Sequence, residues 1–197
     1  MLSMLIGMIS CGSLLSCSGN PPTHYSLGIS GDFSDEQKNL IRAAANEWVS
    51  GVNDSSELTI NVYEGSCNGE GGPGDTCIAP IADMTSYISD HISHADLYGV
   101  TVEQDDSIEN TSKYPLIYLD IDAMAKDNSG LDHDVLFKTV AAHEIGHSLG
   151  LYHTAKGTLM YYSVQMPEVS VTCSDIDYYL INHGFSSRAC NNGIQEK

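Results

Sequence analysis

The pattern of apolar residues along this chain predicts an α+β domain. Three observations carry that reading: short alternating segments of strand type, two long segments with apolar residues at helical spacing, and a final helical pattern near the C-terminus. Taken in order, residues 25–30 alternate enough to form a first strand. Ser34 and Gln37 stand three apart as a capping box, and Leu40, Ile41, Ala44, Trp48 and Val52 then recur at helical spacing. That predicts an amphipathic helix over Asp35–Val52, with Trp48 in the core. Residues 58–63 (Leu-Thr-Ile-Asn-Val-Tyr) alternate cleanly and predict a strand, while 64–75 reads as a loop. Segments 97–103 and 116–121 read as further strands, joined by the polar stretch 104–114. A helix after Asp134 has Leu136, Val140, Ile145 and Leu149 on its buried side, and 175–183 reads as a last helix. No internal repeat interrupts this order, and 197 residues suffice for one domain with its own core.

Composition narrows the function classes. Eight Lys and Arg against 26 Asp and Glu give a formal net charge of −18. Nucleic acid requires basic patches to offset phosphate charge, so it is excluded as a partner. Electrostatic docking on anionic lipid headgroups is disfavoured for the same reason. The acid excess otherwise keeps a surface solvated, as expected of a monomer. Calcium is a conceivable ligand of Asp105-Asp106 or of 127–134, although neither follows the EF-hand spacing.

The first 15 residues are apolar or small, and Leu14-Leu15-Ser16-Cys17 closes the stretch. It is too short and too broken by Gly, Ser and Cys for a membrane span, so 1–16 reads as a secretory signal. Leu-Leu-Ser-Cys resembles a bacterial lipobox, in which Cys17 becomes a lipidated first residue attached to the membrane. Residues 17–24, with Pro21-Pro22, would then be a tether, and 25–197 the folded domain. Export to the bacterial cell envelope or the extracellular space follows. No Lys or Arg precedes the stretch, which leaves open a start further upstream or processing at Cys11. The remaining cysteines, Cys67, Cys77, Cys173 and Cys190, suit two disulfides in an exported protein, with three pairings open. Proximity favours Cys67–Cys77 and Cys173–Cys190; the spacing matches no zinc finger.

The chemistry is concentrated in His143-Glu144-Ile145-Gly146-His147-Ser148-Leu149-Gly150-Leu151-Tyr152-His153. On a helix, positions i and i+4 share a face, so His143 and His147 can aim at one ion. Glu144 follows the first ligand, where its carboxylate can reach a water at the metal without ligating it. Gly150 can adopt a left-handed conformation that ends the helix and turns the chain back. His153 can then supply a third nitrogen that a continuing helix would carry away. Three neutral imidazoles leave tetrahedral Zn²⁺ one open position, as a catalytic site needs. His91 and His94 also have ligand-like spacing, but other donors are not close in sequence, and a solvated loop is the plainer reading. His24, His133 and His183 carry no pattern, and His183 is expected at the surface near a helix end.

The motif H-E-x-x-H-x-x-G-x-x-H resembles that of the metzincin metalloproteases. In them a methionine turn follows the third histidine, and Gly157-Thr158-Leu159-Met160-Tyr161-Tyr162 stands at a similar distance, so Met160 resembles that residue. The short domain and the Leu-Met-Tyr turn look closest to matrixins and their small bacterial relatives. The resemblance implies a zincin catalytic domain, with a twisted mixed sheet, an active-site helix and a C-terminal helix. It also implies a zinc metalloendopeptidase acting on proteins or peptides. Three features depart from the matrixin pattern. Tyr162 stands where matrixins have proline and resembles the astacin and serralysin tyrosine, so it reads as a fifth ligand, a transition-state donor or a packed side chain. No cysteine-switch prosegment is recognisable, and no Asp- and Gly-rich stretch resembles the matrixin calcium and zinc loops. The rival reading is an exported zinc-binding adhesin or recognition domain without peptidase activity; Glu144 weighs against it, since metal binding alone needs no such carboxylate.

Overall fold

The computed structural model describes residues 23–65, 75–81, 98–102, 116–127, 130–154, 156–161 and 170–188. Through them the chain runs β1 (His24–Ile29), α1 (Asp35–Val52), β2 (Thr59–Glu64), β3 (Asp75–Ile81), β4 (Gly99–Val102), β5 (Leu116–Asp120), α2 (Ile121–Ala125), α3 (His133–Ser148) and α4 (Cys173–Asn182). The strands form one mixed sheet in the order β2-β1-β3-β5-β4. β1 pairs in parallel with β2 and β3, and β3 in parallel with β5. β4 alone is antiparallel, with Gly99 opposite Leu119 and Thr101 opposite Ile117.

Parallel β1 and β2 need a crossover, which α1 supplies. Its bounds are those the periodicity predicts. Ser34 accepts from Gln37 N at 3.2 Å while Gln37 Oε1 accepts from Ser34 N at 2.9 Å. At the other end Asn53 takes a left-handed conformation, φ 52°. The helix buries Ile41, Ala44, Trp48 and Val52 against α3, and Trp48 Nε1 donates to Ala142 O at 2.9 Å. The sheet contributes Leu27, Ile29, Ile78, Ile117 and Leu119 to the same core.

Several boundaries differ from the sequence expectation, each for a local reason. The strand read over 116–121 stops at Asp120, whose carboxylate caps α2 through Ala123 N at 2.8 Å. α3 starts one residue before Asp134, because Asp132 is the cap and accepts from Asp134 N and Val135 N. α4 starts at Cys173 behind a second capping box, Thr172 with Asp175. β3 and α2 had no counterpart in the sequence reading. His183 is buried, correcting its expected surface position: Tyr25 Oη lies 2.9 Å from its Nε2, and its Nδ1 donates to Tyr179 O at 2.9 Å.

Cys77 and Cys173 each take part in a disulfide. Residues 1–16, Cys17, Cys67, His91, His94, Asp105, Asp106, Tyr162 and Cys190 lie outside the described residues. Among the described residues no helix is long and apolar enough to cross a membrane.

Candidate metal centre

Helix α3 presents His143 and His147 one turn apart and then stops within three residues. Gly150 has φ 82°, Gly150 N donates to His147 O at 2.8 Å, and Leu151 N donates to Gly146 O at 3.1 Å. That pair of reversed bonds is the Schellman arrangement, which needs a residue tolerant of positive φ. The reversal brings His153 back over the helix end. The three Nε2 atoms stand 3.1 Å (His143–His147), 3.2 Å (His147–His153) and 3.3 Å (His143–His153) apart.

These three nitrogens cannot all be bonding one another. His143 Nδ1 donates to Leu159 O at 2.8 Å, and His147 Nδ1 donates to Leu151 O at 2.7 Å. In a neutral imidazole that places the only ring proton on Nδ1 and leaves Nε2 a bare acceptor. Two lone pairs therefore face each other across 3.1 Å, an arrangement that calls for a cation between them. Nitrogens about 2.0–2.1 Å from a tetrahedral zinc stand about 3.3–3.4 Å apart, within a few tenths of an ångström of the observed triangle. The donor set fits zinc. Burial, then the neighbouring His147, pushes the His143 imidazole down to about 3, against the smaller upward pull of the Leu159 carbonyl. Burial also lowers His147 and His153. All three are thus in the neutral form that ligation requires.

The turn that carries Met160 packs against the ligand helix. Met160 is fully buried against α3 where Gly146 has no side chain: a Cβ there would lie 2.3 Å from Met160 Sδ and 2.8 Å from Trp48 Cζ2. The turn is fixed from α4. Asp175, 1 % exposed, accepts from Leu159 N at 2.9 Å and Met160 N at 3.2 Å, besides Thr172 N at 2.9 Å and Thr172 Oγ1 at 2.6 Å. Since Leu159 O holds His143, the carboxylate acts on that imidazole through one peptide.

Glu144 is also buried, 6 % exposed, facing β4. Thr101 Oγ1 donates toward Glu144 Oε2 at 2.7 Å and lies 2.9 Å from Glu144 O. Burial raises the Glu144 carboxyl to about 7, with the Thr101 hydrogen bonds pulling the other way.

The chain matches the family model described as Matrixin over residues 44–184, well over half its length. It belongs to the matrixin family. Among solved structures it resembles archaemetzincin from Methanopyrus kandleri, with a TM-score of 0.50 and 10 % sequence identity over 81 % of this chain and 96 % of that one. Identity that low speaks to the fold alone. No curated protein matches the chain. The fold is that of a metzincin-like zinc metalloprotease.

In this matrixin chain the structure brings His143, His147 and His153 together, sets Glu144 beside them in sequence but against β4, and buries Met160 against Gly146. Among the described residues no other group of three His, Cys, Asp or Glu side chains could hold a metal. Sequence reading missed Thr101, Gly99 and Asp175. Only Asp175 had a usable signal, as the third residue after Thr172 in a capping box.

Proposed function

We propose that this chain is a zinc-dependent endopeptidase. The observation that supports it most is the triangle of three Nε2 atoms, two of them on rings held by backbone carbonyls, next in sequence to a buried carboxylate. His143, His147 and His153 would hold the ion. Zinc supplies a Lewis acid for the peptide carbonyl and lowers the pKa of water toward neutrality. Glu144 accepts a proton from the attacking water and delivers it to the leaving nitrogen, a task suited to a carboxyl of raised proton affinity. An extended peptide would pair with β4, the terminal strand of the sheet among the described residues. Residues 161–167 would wall the pocket for the side chain after the scissile bond, and Tyr161, Tyr162, Val164 and Met166 would favour an apolar one. A cleavage profile dominated by charged residues there would sink that preference. Export by the 1–16 leader, lipidation at Cys17 and the pairings Cys67–Cys77 and Cys173–Cys190 complete the proposal.

The deciding experiment is proteolysis by the purified protein, disulfides intact, with zinc quantified on the same sample and Glu144→Gln alongside. The expected result is about one zinc per chain and chelator-sensitive cleavage. Glu144→Gln should retain the zinc and lose about 10³-fold in turnover. Full activity in that variant would remove Glu144 as the base. Bound zinc with no cleavage of unfolded proteins or diverse peptides would favour the recognition-domain reading.

A further inference from the structure

A glutamate on a helix is fixed at its Cα but not at its carboxyl, which sits beyond three rotatable bonds. Proton transfer needs that carboxyl in one place, and a misplacement of about 1 Å can cost about 100-fold in rate. Two histidines of this site are tied through Nδ1 to backbone carbonyls, His143 to Leu159 and His147 to Leu151. The carboxyl of Glu144 is steered from elsewhere in the chain.

Gly99 and Thr101 are two apart on β4 and so share one face of the sheet. That face lies on α3. At Thr101 the hydroxyl reaches Glu144 Oε2 at 2.7 Å and the Glu144 carbonyl at 2.9 Å. The Thr101 backbone N–H is the second donor to this carboxyl, so among the described residues both of its donors belong to Thr101. At Gly99 a Cβ would stand 2.8 Å from Glu144 Cγ, 3.0 Å from its Oε1 and 2.8 Å from Val140 Cγ1. The glycine therefore leaves the volume that the glutamate side chain fills, and the threonine fixes one oxygen at its end. The strand is itself immobilised: Gly99 and Thr101 lie opposite Leu119 and Ile117, both fully buried.

We propose that Thr101, with the space left by Gly99, is the positioning residue for the Glu144 carboxylate, so that the edge strand rather than the ligand helix sets where the base acts. The proposal rests on Glu144 being the general base. A hydroxyl suits the task because it can turn between the two acceptors, whereas a methyl in its place offers neither bond. The bland alternative is that Thr101 merely docks β4 onto α3. Docking alone predicts lower stability and an altered cleft, seen in KM and zinc content; positioning predicts a loss confined to kcat.

The test is steady-state kinetics of the zinc-loaded protein on one cleavable peptide, with zinc content and Tm, for Thr101→Val, Thr101→Ser, Gly99→Ala and Glu144→Gln. Thr101→Val should bind zinc and substrate as the parent does and lose about 10- to 100-fold in kcat. Thr101→Ser, which keeps the hydroxyl, should stay within about threefold of the parent. Gly99→Ala should lower kcat as well, since its methyl displaces the glutamate. Should valine prevent folding, Thr101→Ala takes its place beside the serine variant. Parental kcat in Thr101→Val, or equal losses in the valine and serine variants, overturns the proposal, as does a loss of zinc that accounts for the whole effect. An inactive Glu144→Gln beside a fully active Thr101→Val confines the failure to Thr101. An active Glu144→Gln removes the general base, and the positioning role with it.

Discussion

Two buried carboxylates border the histidine cluster, and their surroundings are opposite. Asp175 receives three backbone N–H groups and a hydroxyl. Glu144, among the described residues, receives donors from Thr101 alone, its hydroxyl and its backbone N–H. A carboxyl group that takes as many donors as Asp175 does, from two chain segments, works as a structural clamp. Burial raises the Glu144 carboxyl to about 7 against its two bonds, and that raised proton affinity is the property a general base and acid needs. Burial is common to both; the number of donors separates a fastener from a reagent.

The comparison can be broken most easily at Asp175. Asp175→Ala would strand three N–H groups, of Leu159, Met160 and Thr172, at a cost on the order of 3–5 kcal/mol. A large fall in Tm and weaker zinc retention, read by competition with a chelator, are expected, because Leu159 O positions His143. A Tm change no larger than that of a surface substitution would contradict the clamp.

A sharper version uses the two isosteric amides in zinc-free protein. Asp175→Asn should destabilise, since an amide NH₂ replaces an oxygen that accepts from N–H donors. Glu144→Gln should stabilise, and only at high pH. The sign follows from linkage. Burial raises Glu144 in the folded state from the ordinary 4.5 to about 7, so the fold prefers the protonated form. Its contribution is intact below pH 4.5 and is lost as pH rises through about 7. Replacing it should then gain on the order of 2–3 kcal/mol at pH 8 and little at pH 4.5. His143, pushed down to about 3, works in the other direction and destabilises the metal-free fold as pH falls below 6.5, but it is common to both proteins. Thermal unfolding of parent and variant across that range reads the difference. A gap independent of pH would show that Glu144 is not the strained ion described.

The smallest effect belongs to the helix end. Gly150→Ala forces a Cβ onto a residue with φ 82°, at a cost of about 1 kcal/mol. Zinc retention should fall modestly, through His153 alone, whereas an unchanged affinity would mean the turn is not what places the third ligand.

Legibility in the sequence followed the range of the interaction. The ligand helix, the glycine that ends it and the capping box of α1 are decided within a few residues, and each was readable. β3 was not. Asp75-Thr76-Cys77-Ile78-Ala79-Pro80-Ile81 carries a proline without an N–H and little alternation, yet it lies between β1 and β5 in the sheet. Its state is imposed by neighbours on both sides. His183 reads as a surface residue from its polar type, but Tyr25 of β1 meets it inside the fold.

By itself the sequence determined the three clustered histidines, the glutamate proposed as base and the turn between them, because a 3.6-residue period and one glycine suffice to bring those nitrogens to one side. Only the tertiary structure decided what surrounds the base and the turn. Thr101 comes to Glu144 from 43 residues away, and Asp175 comes to Leu159 from 16. Such partners are chosen by how strands and helices pack, and no local period encodes them.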